Sequence, residues 1–309
     1  MRGGAGFDIA GLLPRLSPAR KRCSFAAMSG AMSTLAPARR FLAETLGPLV
    51  DLIYPPRCPV CGEAIAQQVG LCSTCWEQLE IPSEPGCARC QRPFGASGLE
   101  AGAICLPCMK DPPKHDGIAA ATLYNDVSRR LVLAFKHGRR IALTPMLARL
   151  MAARLPAPAD RLIVPVPLHR GRLWYRGFNQ AALLGRSLAA MGHGTLLVDA
   201  LVRTKRTPVL GGLGAKARRR AVAGAIRVSR HGAKAVKGRS VILVDDVLTS
   251  GATSQACVAA LKRAGATSVV ICCFARVLDG DRSATMSAPP PVLLSESETP
   301  ETTKVPGAT

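Results

Sequence analysis

A chain of 309 residues with 48% hydrophobic content has enough apolar mass to bury a core in one to three domains, which excludes disorder as its overall state. Aromatics are only 4%, so that core must be built largely from Ala, Leu and Val. The net charge of +21 points to anionic partners, whether phosphate esters, nucleic acid or anionic lipid.

Residues 1–36, rich in Arg, Gly, Ala, Ser and Pro, read as a disordered leader, with Met28 and Met32 as alternative starts. An Arg-rich, acid-poor segment also fits an organellar transit peptide. No apolar run followed by a small-residue cleavage site marks a secretory signal, and no stretch of 18 apolar residues is long enough to span a membrane. The expected location is therefore the cytoplasm, where paired cysteines serve metals rather than disulfides. Residues 37–56 form a separate helical segment: Phe41, Leu42, Leu46, Leu49 and Val50 recur at helical spacing over 38–53, and Pro55-Pro56 ends the run.

Residues 57–112 carry eight of the twelve cysteines as four CxxC pairs: Cys58/Cys61, Cys72/Cys75, Cys87/Cys90 and Cys105/Cys108. Ten residues separate the first two pairs and fourteen the last two. A CxxC knuckle sets two thiolates on one side of a tight turn, and two knuckles close a sulfur tetrahedron around zinc. Gly62 supplies a residue free to take positive φ after the first knuckle. Four sulfurs leave no open position, so about two structural zinc ions per chain are expected. Sequential pairing (58/61/72/75 and 87/90/105/108) is favoured over an interleaved scheme, which the spacing leaves open. A thioredoxin-like redox motif is disfavoured because no βαβ pattern surrounds the pairs.

Asp111-Pro112-Pro113 reads as a linker, and residues 113–283 alternate strands with helices. Strands are expected at Ile118–Tyr124, Leu162–Val166, Leu196–Val202, Ser240–Val244 and Ser268–Phe274. Helices are expected at Val127–Lys136, Ile141–Leu155, Gly177–Met191 and Thr253–Ala264. That alternation predicts an α/β fold on a parallel sheet. From Arg161 to Val244 there are 17 Lys or Arg against one acid, Asp199. Residues 284–309, rich in Ser, Thr, Pro and Glu, read as a disordered tail. Cys257, Cys272 and Cys273 read as small buried hydrophobes.

The segment from Val241 to Ser254 carries the chemistry. A buried apolar strand delivers Asp245 and Asp246 to its carboxyl end, where open α/β sheets bind ligands. Thr249-Ser250-Gly251-Ala252-Thr253 follows and a helix begins. Small residues let the backbone approach an anion, and free N–H groups at a helix N-terminus favour a phosphate. The acids would repel that phosphate, so their targets are sugar hydroxyls or a magnesium ion with its waters. The segment therefore reads as a ribose 5-phosphate site. Its structural alternative is a strand–turn–helix connection capped by Asp and Thr.

The run Val241–Ser254 is similar to the signature of type I phosphoribosyltransferases. Together with the eight cysteines, Val164-Pro-Val-Pro-Leu168 and Arg176-Gly-Phe-Asn-Gln180, it resembles the ComF family (competence protein F-like), over roughly residues 50–280. The resemblance implies a type I phosphoribosyltransferase fold, with a parallel-sheet core and a hood or flexible loop, preceded by a double zinc ribbon. It implies phosphoribosyl pyrophosphate with magnesium as ligand, and a pyrophosphate loop nominating His169, Arg170, Arg172 and Arg176. It assigns the 5-phosphate to Thr249, Ser250, Gly251, Ala252 and Thr253, and places Asp245 and Asp246 as catalytic acids beside the anomeric carbon. It also implies a link to DNA uptake, with single-stranded DNA or a DNA-uptake helicase as partner. Trp174 and Tyr175, set between Arg172 and Arg176, suit base stacking or, alternatively, packing in a lid or core. Leu210, Ala221 and Ile226 stand where the family often has Gln, Asn and Phe, while Arg218 and Gly224 keep the pattern. A non-catalytic DNA-binding protein that retains the loop as a ligand site is the rival reading.

Overall fold

The computed structural model describes residues 55–67, 69–95, 100, 102–136, 140–157, 159–205 and 215–278. The leader, the helix expected over 38–53, the segment 206–214 with Leu210, and the tail from 284 lie outside the described residues. The chain divides between Pro55 and Pro56 into two units, and every described residue except Pro55 belongs to the second.

Four knuckles open this unit. Two short helices, α1 (Ser73–Glu77) and α2 (Leu106–Lys110), start directly after Cys72 and Cys105. Two isolated bridges, Arg57 with Ala64 and Gly86 with Pro93, close the intervening turns. Gly62 takes φ +82°, and its amide returns to the Cys58 carbonyl at 2.9 Å.

The α/β part is a five-stranded parallel sheet. Its strands are β1 (Gly117–Leu123), β2 (Leu162–Pro165), β3 (Thr195–Leu196), β6 (Ser240–Leu248) and β7 (Ser268–Arg276), in the order β1-β7-β6-β2-β3. The intervening helices are α3 (Asp126–Lys136), α4 (Thr144–Ala152), α5 (Arg170–Arg176), α6 (Gln180–Ala190), α7 (Ala215–Val222), α8 (Arg230–Val236) and α9 (Ala252–Arg263). A separate antiparallel pair joins β4 (Leu201–Arg203) to β5 (Ile226–Val228). Parallel strands buried on both faces need continuous apolar runs, and every residue of β1 is buried.

Side-chain alternation splits the core into two layers. Val241 and Leu243 of β6 pack with Cys257, Val258 and Leu261 of α9, with Leu201 and Ile226 of the hairpin, and with the sulfurs of Cys87, Cys90, Cys105 and Cys108. Ile242 and Val244 pack on the opposite face with Leu131 and Phe135 of α3, Leu147 and Met151 of α4, and Leu184 and Leu188 of α6. Each fully buried Leu contributes about 1.5–3 kcal/mol relative to exposure.

Four expected segments differ in extent, and α5, α7, α8 and β5 lie where the sequence predicts no element. The strand expected at Leu196–Val202 is two: the chain turns at Asp199, where a buried ladder would strand a charge, and Leu201–Arg203 leaves the main sheet for the hairpin. The helix expected at Gly177–Met191 starts at Gln180, because Gly177 adopts φ +79° and closes α5, whereas Asn179 caps the new helix through Ala181 N at 3.1 Å. The helix expected at Ile141–Leu155 opens with a 3-10 turn over Ile141–Leu143, and α4 begins with a proline in its first turn. β6 runs on to Leu248 rather than stopping at Val244, because Asp245 still pairs with Cys273 and Leu248 with Arg276.

Candidate functional site

The carboxyl ends of β6 and β2 form the site. β6 leads through α9 to β7 on one side, whereas β2 leads through α5 and α6 to β3 on the other. Where such connections part, an open parallel sheet leaves a crevice. Pro165 is in register with Val244, and Val166 N donates to Val244 O at 2.9 Å. The segment after β2 and the acid pair after Val244 therefore leave the sheet side by side.

Asp245 and Asp246 lie on opposite faces of β6. Asp245 points to the α9 layer: its Oδ2 accepts from Ser254 Oγ at 3.4 Å and its Oδ1 from the Asp246 amide at 2.9 Å. Burial, followed by the charge of Asp246, pushes its carboxyl up to about 7, against the opposing pull of Lys136. Asp246 points to the α3 layer, where its Oδ1 is 2.9 Å from Lys136 Nζ.

Gly251 turns the chain into α9 at φ +70° and ψ 0°, a conformation that disfavours a side chain. No side chain caps α9, so its first-turn amides lack the hydroxyl or carboxylate partner that a helix start usually has. The capped strand–turn–helix alternative is thereby corrected: the carboxylate of Asp245 is turned to Ser254 and the Asp246 amide instead. Thr249 is exposed, Ser250 and Thr253 are half-buried, and Ala252 is buried.

Across the crevice, His169 caps α5, its Nδ1 accepting from Gly171 N at 3.2 Å. Arg170 is exposed and Arg172 half-buried, while Arg176 Nη1 donates to Gln180 Oε1 at 3.4 Å. Asn179 Nδ2 holds the Val166 carbonyl at 3.1 Å and so fixes the start of this segment. Trp174 and Tyr175 are 91% and 80% exposed, which rules out core packing for both. Two groups near the acids had not been singled out from the sequence. Lys136 is one. The other is Arg203, buried on β4, whose guanidinium is pulled down by burial and by Arg172, with Cys257 and Asp245 opposing.

The eight cysteines gather as two tetrads, Cys58/Cys61/Cys72/Cys75 and Cys87/Cys90/Cys105/Cys108, with the sulfurs of each tetrad within 4.8 Å of one another. Sulfurs 2.3 Å from a tetrahedral zinc would stand about 3.8 Å apart. Cys61 to Cys72 and Cys90 to Cys105 both measure 3.6 Å. Burial raises the Cys58 thiol, but amides of Cys72, Cys61 and Val60 outweigh it and bring it down to about 6. Cys87 behaves alike, its burial outweighed by amides of Cys105, Cys90 and Arg89. Burial and neighbouring sulfurs push Cys75 and Cys108 up instead. Four thiolates packed this closely need a cation, and each tetrad fits one zinc.

The double zinc ribbon domain family matches residues 49–110, and the phosphoribosyl transferase domain family matches residues 192–289. DNA utilization protein YhgH of Escherichia coli O157:H7 is 31% identical over 237 residues, spanning 74% of this chain and 100% of the relative. The chain belongs to the ComF family. Competence protein F of Haemophilus influenzae is 32% identical over 230 residues, spanning 71% of this chain and 96% of the relative. Among solved structures, the glutamine phosphoribosylpyrophosphate amidotransferase from B. subtilis superposes on 45% of this ComF protein and 30% of its own chain, at 18% identity and a TM-score of 0.32, a likeness too partial to bear on function. The parallel sheet is thus a phosphoribosyltransferase domain, and the two tetrads are the ligand sets of a double zinc ribbon. Among the described residues, no helix is long and apolar enough to cross a membrane.

Proposed function

We propose that this ComF-family protein binds phosphoribosyl pyrophosphate with magnesium in the crevice and serves DNA uptake from the cytoplasm. The observation that carries the reading is the uncapped N-terminus of α9 beside two acids turned to opposite faces of β6. The 5-phosphate is held by the amides of residues 249–253, with hydroxyl donors from Thr249, Ser250 and Thr253. The ribose hydroxyls donate to Asp245 and Asp246. The pyrophosphate end faces His169, Arg170, Arg172 and Arg176, where guanidinium forks match phosphate oxygens. Bound magnesium supplies positive charge on that diphosphate.

As an enzyme, the protein catalyses displacement at C1 of the ribose. The bond from C1 to the pyrophosphate oxygen breaks, with its electron pair leaving on pyrophosphate, while a nitrogen nucleophile forms the new bond and gives up a proton. The two carboxylates stabilise the positive charge that develops on the sugar. His169 offers an imidazole after β2, but its Nδ1 already holds the Gly171 amide, which suits it to loop positioning.

Calorimetric titration with phosphoribosyl pyrophosphate and magnesium tests the reading. Wild-type protein should bind, and Asp245→Ala with Asp246→Ala should bind more weakly while keeping the fold; equal affinity in both sinks it. Consumption of the ligand by purified protein supports catalysis. A second reading is favoured by the exposure of Trp174 and Tyr175 beside Arg172 and Arg176: a stacking platform for single-stranded DNA. Salt-sensitive binding of an oligothymidylate that survives loss of both acids supports that role.

A further inference from the structure

Asp245 faces α9 and the uncapped amides at its start, whereas Asp246 faces α3. A ligand whose phosphate rests on α9 and whose sugar crosses the end of β6 therefore ends on the face of Asp246. There stands Lys136, the last residue of α3, which Phe135 anchors in the core at 1% exposure. The Lys136 side chain is 21% exposed, so it is neither sealed in the core nor free in solvent. Its ammonium carries three donors, of which Asp246 Oδ1 at 2.9 Å takes one.

We infer that Lys136 is a contact residue for the pyrophosphate end of the ligand, an assignment that rests on the phosphoribosyl reading of the crevice and deepens it. Its charge is held by Asp246 at 2.9 Å. When the sugar arrives, Asp246 accepts from a ribose hydroxyl, and the ammonium turns a second donor to a diphosphate oxygen without leaving the acid. One cation thus spans the sugar end and the leaving end. Negative charge collecting on pyrophosphate as the bond to C1 breaks is met by a group already in position. His169 and the arginines after β2 approach the same end from the neighbouring strand, so Lys136 completes the enclosure from the α3 side.

The rival account is that Lys136 only neutralises Asp246. Calorimetric titration of wild type and Lys136→Met with three probes, each with magnesium, separates the two: phosphoribosyl pyrophosphate, inorganic pyrophosphate and ribose 5-phosphate. Lys136→Met should weaken the first two about tenfold or more and leave ribose 5-phosphate within about twofold, as expected for one lost charge-assisted hydrogen bond. Lys136→Arg should recover much of the loss, since guanidinium still donates. Because Lys136→Met leaves Asp246 without its cation, Asp246→Asn and the double variant K136M/D246N are measured too. Pyrophosphate binding should persist in the first and fall in the second, and zinc content and melting temperature report folding. Equal weakening for ribose 5-phosphate and pyrophosphate, or unchanged pyrophosphate affinity, overturns the assignment. If wild type binds none of the three probes, the phosphoribosyl reading falls and this one with it. If wild type binds and Lys136→Met binds equally well, only Lys136 is reassigned.

Discussion

Replacing Asp245 by Asn should make the protein more stable and its ligand binding weaker. The carboxyl ordinarily titrates near 3.8 and is pushed up to about 7, first by burial and then by Asp246. Between those values the folded protein holds a proton that the unfolded chain has released, so stability falls as pH rises and the full cost is present above pH 7. At about 1.4 kcal/mol per pH unit the cost is about 4–5 kcal/mol, and partial access of water to the site reduces it to about 2–3 kcal/mol. Asn keeps the shape, accepts from the Asp246 amide and meets the Ser254 hydroxyl, but carries no charge. Denaturant melts of both proteins at pH 5.5 and pH 8 should show Asp245→Asn ahead at each, with the gap widening by about 1–2 kcal/mol at the higher pH. Both proteins carry the same cysteine tetrads, so acid effects on zinc largely cancel in the difference. A gap that does not change with pH, or a variant less stable at pH 8, refutes the electrostatic account of this site.

Four further outcomes rest on the same geometry. Gly251→Ala should cost about 1–2 kcal/mol in denaturant melts, because a side chain at φ +70° is strained even though its Cβ would meet only ordinary contacts such as Gln255 Nε2 at 3.7 Å. Metal analysis should find about two zinc ions per chain. Cys58→Ser with Cys61→Ser should lose one zinc and spare the domain, since that tetrad meets the main core through the partly buried Val60 and Leu71, whereas Cys87→Ser with Cys90→Ser should unfold more, since those cysteines share a buried cluster with Ile118 and Val269. Trp174→Ala with Tyr175→Ala should change stability by less than about 0.5 kcal/mol yet weaken oligothymidylate binding by about 1–3 kcal/mol for each base that stacks. Unchanged DNA affinity would remove the platform.

The sequence made legible what is contiguous. Four CxxC pairs and the Asp-Asp to Thr-Ser-Gly-Ala-Thr run each encode a local turn whose chemistry needs no distant partner. What it hid is either long-range or lacks an apolar face. Lys136 reads alone as a cation at a helix end, where the macrodipole favours one, and only the sheet order brings it to Asp246. Helix α5 buries none of its seven residues, so it has no stripe to detect; its borders are set by the His169 cap and by Gly177. The hairpin of β4 and β5 escaped notice because Leu196-Leu197-Val198 and Leu201-Val202 look like one apolar run. A turn at Asp199 and the pairing of Val202 with Arg227 decide otherwise.

Why one crevice should gather so many local costs is the remaining question. Asp245 is charged against its surroundings, Gly251 sits where side chains are disfavoured, and α9 begins without a cap. Each is a departure from what folding alone favours: Asn at 245 lowers the charge cost, and an extended Ser or Asp cap is a commoner helix start than a left-handed glycine. Departures of this kind concentrate where structure is held for a ligand. A single class of molecule relieves these together, because a phosphate supplies the missing cap and vicinal hydroxyls give each carboxylate a donor on its own face of the strand. An amine or an apolar ligand would answer the acids or the cavity, but not the amides. A bare phosphate would answer the amides and repel the acids. The pattern of costs therefore supports the proposed phosphorylated sugar on grounds separate from the family resemblance, and the ribose 5-phosphate titration is the measurement on which both lines meet.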